Sequence, residues 1–194
     1  MRGKIISVIN QKGGVGKTTT VINLAAGLSL QEKKILVIDL DPQGNATTGL
    51  GMSNTENSNQ TIYSVLNRSK NISEVIQRTN FENLDLISSN VDLSGLEVET
   101  ATDSRKAFIL RDQIMPYLND SGASYDHILI DCPPSLNLLT IMSLVASNSL
   151  VVPLQTEFFA LEGVTQLIKT IDRIKNNLNP DLYIRGILLT MYDK

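Results

Sequence analysis

The segment Lys12-Gly13-Gly14-Val15-Gly16-Lys17-Thr18-Thr19 combines the residue types that bind a polyphosphate anion. Glycines let a backbone fold around an anion so that successive N–H groups point inward. A helix beginning directly after such a loop adds its N-terminal donors and the positive end of its dipole. Lys17 then contacts the β- and γ-phosphates of a nucleotide, and the Thr18 hydroxyl ligates Mg²⁺. The ordinary form of this loop is G-x-x-x-x-G-K-[ST], but the position five before Gly16 is Gln11. An extra lysine, Lys12, stands before the glycines instead. Taken alone, Lys12 reads equally as a solvated surface charge. A turn that merely joins two elements is the competing reading of the loop, and the Gly-Lys-Thr order argues against it.

Two further segments place carboxylates where such a loop needs them. Ile38-Asp39-Leu40-Asp41-Pro42-Gln43-Gly44-Asn45 follows an apolar run, so its acids sit at the carboxyl end of a strand. Asp41 is placed to orient an attacking water, since phosphoryl transfer depends on positioning and charge stabilisation. Asp39 is placed to tune the Mg²⁺ environment. For both, a helix N-cap or an Asx-turn is the alternative. Tyr125-Asp126-His127-Ile128-Leu129-Ile130-Asp131-Cys132-Pro133-Pro134 carries Asp131 at the tip of a second apolar run. Asp131 is expected to hold Mg²⁺ through a water, because this ion sheds its shell reluctantly. Pro133 and Pro134 stiffen the segment beyond it. Cys132 reads as a small packed hydrophobe and His127 as a structural strand residue, with no further soft ligand for a metal.

The elements that must position these residues are legible as alternation. Six short runs rich in β-branched residues read as buried strands: 5–9, 35–40, 84–88, 127–131, 149–153 and 183–189. Their near-continuous apolar character points to a parallel sheet covered on both faces. Val21, Leu24, Ala25 and Leu28 form one apolar stripe on a helix over 17–31. Helices are also expected over 105–118, with Pro116 near the end, over 136–146 and over 161–178. Short helices over 61–67 and 73–77 would be capped by Thr61 and Ser73, and the polar stretch 51–60 reads as a loop. Strand–helix alternation of this kind predicts an α/β fold, a doubly wound, mostly parallel sheet with helices on both faces. The last expected strand runs to the end of the chain at the sheet's carboxyl edge, with no helix after it to cover it. The expectation is one domain over 1–194, incomplete at its C-terminal side.

Composition narrows the function classes. At 194 residues with 42 % hydrophobic and 19 % charged, the chain can bury a sizeable core and is not globally disordered. The net charge of −3 excludes a whole-surface nucleic-acid footprint but not a local basic patch. Aromatics at 5 % and no tryptophan disfavour a module that stacks single-stranded bases. One cysteine excludes an internal disulfide and fits a reducing cytoplasm. No run is long enough to span a membrane, and the start does not resemble a signal peptide.

In combination, KGGVGKTT, DLDPQGN, DCPP and the run from Val151 to Gly163, VVPLQTEFFALEG, resemble the ParA/Soj branch of the deviant Walker A ATPases, across essentially the whole chain. The resemblance implies a P-loop NTPase fold, ATP and Mg²⁺ as ligands, and ATP hydrolysis. It implies that Lys12 reaches across an ATP-dependent homodimer to the partner's nucleotide. It further implies non-specific DNA binding, a ParB-like centromere-binding partner that stimulates hydrolysis, no membrane association, and a nucleoid-associated cytoplasmic location. Chromosomes and plasmids are equally open as cargo. Known members are longer, with further helices that carry DNA-binding residues. The role of the 151–163 run does not follow from spacing: nucleotide pocket, dimer surface and plain packing of Phe158 and Phe159 all remain open. The main alternative is a MinD-like membrane-associated positioning ATPase, which needs an amphipathic helix not seen here. A NifH-like reductase is excluded because its shared cluster needs two cysteines per chain. A relative of dethiobiotin synthetase lacks a recognisable substrate site.

Overall fold

The computed structural model describes residues 3–52, 59–119, 125–156 and 160–192. In chain order the elements are β1 (Lys4–Val8), α1 (Lys17–Ser29), β2 (Ile35–Asp39), α2 (Asn45–Gly49), α3 (Ile62–Leu66), β3 (Gln77–Arg78) and β4 (Leu84–Ile87). They continue as α4 (Leu96–Glu99), α5 (Ile109–Asn119), β5 (His127–Asp131), α6 (Leu138–Ala146), β6 (Ser149–Gln155), α7 (Ala160–Asn177) and β7 (Tyr183–Thr190). The strands form one sheet in the order β3-β4-β2-β5-β1-β6-β7. Every pairing is parallel except the two-residue β3 against β4.

Side chains alternate between the faces along each central strand. Ile5, Leu36, Ile38, Ile128 and Ile130 pack with α3, α5 and α6 residues such as Val65, Ile114 and Met142. Ile6, Val8, Ile35, Val37 and Leu129 pack on the other face against Val21 and Ala25 of α1. Both faces of the sheet centre are therefore apolar, which is why these strands show no in/out polarity. A third cluster joins Leu150 and Val152 of β6 to Leu167, Ile171 and Ile174 of α7. Turning the core side chains to both faces leaves backbone ends, loops and polar groups to collect at the strand termini.

Several expectations need correction. Strand β7 is paired as expected, but it is not buried: Ile184, Ile187, Leu188 and Leu189 are all exposed, because β7 is an edge strand that no described helix covers. Residues 73–77 are not a helix. A 3-10 turn over Ile72–Glu74 is capped by Asn71, not Ser73, through a capping box with Glu74. Gln77 belongs to β3. Thr61 sits at the N-cap of α3, but its hydroxyl makes no cap hydrogen bond. The helix expected over 105–118 opens as a 3-10 turn over Lys106–Phe108, with α5 proper from Ile109, and Pro116 lies near its end as expected. No helix among the described residues is long and apolar enough to cross a membrane.

Candidate functional site

β1 ends at Val8 in the middle of the sheet, and the chain turns through residues 9–16 directly into α1. Gly14 (φ 74°) and Gly16 (φ 90°) hold left-handed backbone there, which a side chain would strain. The loop is tied to the sheet at its start. Asn10 Nδ2 donates to the Pro153 carbonyl at 2.6 Å, and Asn10 Oδ1 accepts from Lys12 N at 3.0 Å. Val15 is buried, so its contribution to the loop is backbone, with its side chain in the protein interior.

Lys17 is buried, and its ammonium donates to the Lys12 carbonyl at 3.1 Å, closing the loop on itself. Burial lowers its pKa, opposed by the charges of Asp131 and Asp41 nearby. Thr18 Oγ1 donates to Asp131 Oδ2 at 2.7 Å, joining the first turn of α1 to the tip of β5. The other carboxylate oxygen, Asp131 Oδ1, is buried without a hydrogen-bond partner. Burial pushes the Asp131 carboxyl up to about 7, and the charge of Asp39 adds to that.

Asp39 stands beside Asp131 as its register partner on β2. Its oxygens are taken: Oδ1 accepts from Asp41 N at 3.1 Å, and Oδ2 accepts from Thr47 N and Oγ1, both at 2.7 Å. Asp39 therefore ties down the segment 41–47, the Asx-type arrangement that the sequence left open. Burial pushes it up to about 6. Asp41 makes a similar turn bond, accepting from Gln43 N at 3.0 Å, and also lines the site.

A cavity of about 310 Å³ is lined by Gly13, Gly14, Gly16, Lys17, Thr18, Thr19, Asp41, Asn45, Pro134 and Met191. Glycine loop, lysine, hydroxyls and carboxylate thus meet at one point on the carboxyl edge of the sheet, where open α/β sheets bind ligands. A larger cleft of about 680 Å³ opens at the opposite, amino edge, beside Asn83, Asp85 and Tyr125. Its polar lining includes a hydroxyl–carboxylate bond, from Tyr125 to Asp85, but no glycine loop, so the smaller cavity is the better candidate.

Lys12 is exposed, with Nζ donating to Gln155 Oε1 of β6 at 3.2 Å. Gln155 was within the run whose role spacing left open; Glu157, Phe158 and Phe159 of that run lie outside the described residues. Cys132 is packed as expected: buried, donating to Ser143 Oγ at 3.1 Å, and pushed up to about 12 by burial. His127 lies at the start of β5, far along the strand from Asp131. Among the described residues no three His, Cys, Asp or Glu side chains cluster as a metal cage. Asn45 and Met191 also line the cavity, although sequence reasoning gave neither a role: Asn45 closes the DLDPQGN segment, and Met191 belongs to no recognisable phosphate motif.

Comparison with known proteins places this arrangement. A family model described as an AAA domain matches residues 3–184. The chromosome partitioning protein ParA of Myxococcus xanthus is 50 % identical over 98 % of this chain, which spans 66 % of that protein. The sporulation initiation inhibitor protein Soj of Bacillus subtilis is 47 % identical over 98 % of this chain, which spans 74 % of that protein. Among solved structures, cobyrinic acid a,c-diamide synthase from Mycobacterium smegmatis with bound ADP and magnesium superposes with a TM-score of 0.92. It is 37 % identical, over 99 % of this chain and 76 % of that one. The chain belongs to the ParA/Soj family of AAA-domain proteins.

Proposed function

We propose that residues 1–194 form one ATPase domain that acts as an ATP-dependent partitioning switch in chromosome or plasmid segregation. The observation that carries this reading is the Thr18–Asp131 hydrogen bond at the mouth of the glycine loop, with Lys17 buried beside it. Hydroxyl and carboxylate paired this way suit an octahedral Mg²⁺ that keeps several waters. The buried, unpartnered Asp131 Oδ1 fits the same group, since a cation nearby removes the cost of leaving it unpaired. Thr18 and Asp131 would hold Mg²⁺, with Asp39 behind them keeping the segment 41–47 in place. When bound, the ion neutralises phosphate charge and orients the terminal phosphoryl group.

The chain's own residues then divide the work. Backbone N–H groups of 13–19 and the N-terminus of α1 bind phosphate oxygens. Lys17, buried at the base of the loop, supplies a positive charge where screening by water is weak and the charge counts for more. Asp41, on the cavity wall, orients the attacking water. Lys12 acts on the nucleotide of a second subunit, so the ATP-bound form is a homodimer. That dimer binds DNA without sequence preference, through backbone phosphates. A ParB-like centromere-binding partner stimulates hydrolysis and releases it, which places the protein in the cytoplasm on the nucleoid rather than on a membrane. The ParA and Soj relatives support partitioning over the amide synthesis named for the structural neighbour, because their identity to this chain is higher.

The test is calorimetry with Mg·ATP. Wild-type protein is expected to bind, and Lys17→Ala to lose about 100-fold in affinity, near the upper scale of a charge-assisted hydrogen bond. Equal affinity in the two proteins would remove the phosphate-site assignment.

A further inference from the structure

The end of the phosphate loop is held by a residue from the far end of the chain. Thr190, the last residue of β7, donates from Oγ1 to the Val15 carbonyl at 2.9 Å, across 175 residues of sequence. Its Cγ2 methyl lies against Gly16, 3.6 Å from where a Cβ on that glycine would stand. Thr190 is in turn paired across the sheet with Gln155 of β6, and Gln155 holds Lys12. Met191, next along, lines the cavity. The tips of β6 and β7 thus grip both ends of the loop.

A peptide unit is planar and trans, so its C=O and N–H point in opposite directions. Fixing the Val15 carbonyl toward β7 therefore turns the Gly16 N–H away from β7. Gly16 is the residue with the most positive φ in the loop (90°), and many peptide orientations are open to glycine there. The hydrogen bond from Thr190 to the Val15 carbonyl selects one of them. We infer that Thr190 is a positioning residue for phosphate binding: its hydroxyl sets the Val15–Gly16 peptide so that the Gly16 N–H is presented to a phosphate oxygen. The inference rests on the reading of this loop as a nucleotide site.

The experiment compares wild type, Thr190→Val and Thr190→Ser as full chains, titrated with Mg·ADP by calorimetry and melted in parallel. Thr190→Val keeps the methyl packing and removes the donor; Thr190→Ser keeps the donor and removes the methyl. Thr190→Val is expected to bind ADP about tenfold more weakly, near the lower end for a hydrogen bond to a charged group. Thr190→Ser is expected to bind like wild type, with all three melting alike. Wild-type affinity in Thr190→Val overturns the inference, and so does an equal loss in Thr190→Ser. An affinity loss in Thr190→Val that comes with a lowered melting point assigns Thr190 to strand packing and overturns it too. Failure of the wild type itself to bind ADP is a separate result, and sinks the nucleotide reading as a whole.

Discussion

Asp39 and Asp131 stand side by side as register partners on β2 and β5, both fully buried at the carboxyl edge of the sheet. Asp39 spends its oxygens on the backbone and hydroxyl of the segment 41–47, whereas Asp131 keeps one oxygen unpartnered. The asymmetry divides their work. One acid holds a segment in place, and the other is left available to a cation.

Asp131 should make the ligand-free protein pH-sensitive. Its carboxyl titrates near 3.9 in an unfolded chain and is pushed up to about 7 in the folded one. Between those values the folded chain holds a proton that the unfolded chain has lost, so stability falls as pH rises and the loss is complete above about 7. Asp131→Asn keeps an acceptor for Thr18 and removes the charge. Thermal melts should show it more stable than wild type at pH 8, by about 3 °C or more, and level with wild type at the acid end. The gain should be offset by loss of the stabilisation that Mg·ATP gives the wild type.

Asp41→Asn preserves the turn bond to Gln43 N and the cavity wall. Nucleotide affinity should stay at the wild-type level, while single-turnover hydrolysis slows by about 10²–10⁴, the range for losing a positioned proton acceptor. An unchanged rate would leave Asp41 as a turn residue only.

Lys12 rests on Gln155 of its own chain, and Lys17 already serves the loop from within. Lys12→Ala should therefore bind ATP nearly as well as wild type, yet give no ATP-dependent dimer in light scattering. If it acts across a dimer, mixing it with Asp41→Asn should restore hydrolysis in part, because one composite site then holds both intact residues. An arginine finger sets the upper scale, about 10³–10⁵ in rate. Normal dimerisation of Lys12→Ala would return Lys12 to an ordinary surface lysine.

Asn179 offers a test of packing away from the site. Its buried amide donates to the carbonyls of Leu144 (2.9 Å), Val145 (3.3 Å) and Ser147 (2.8 Å), finishing the end of α6. Asn179→Ala leaves those carbonyls unpaired and should cost about 1–3 kcal/mol in urea unfolding. Nucleotide affinity should be unaffected.

The sheet was legible wherever apolar runs were continuous, because a strand buried on both faces has a signature that local sequence carries. β5 matches its expected bounds at both ends. β7 looked the same in sequence and differs in burial, since exposure depends on what packs alongside and not on the strand itself. The stretch 89–99 was missed because its apolar residues face different ways: Leu93 and Leu96 are buried, Val91 and Val98 exposed. At the site, the loop and the strand-tip acids were visible as residue types at set positions. The Asp39–Thr47 bond, the Lys12–Gln155 contact and the Thr190–Val15 tie were not, because single hydrogen bonds across elements leave no periodic trace.

The position of β1 has a consequence for how the molecule is made. β1 begins at Lys4, yet its neighbours are β5, from His127, and β6, from Ser149. A ribosome releases the glycine loop well before its flanking strands, so this segment waits for them unpaired during synthesis. Closing such long loops is slow, and unpaired apolar strands are open to wrong partners while they wait. Nucleotide cannot act as a folding template for the first half of the chain, since the carboxylate at β5 and the tie from β7 arrive only afterwards. The element that comes first in the sequence is among the last to take its working shape.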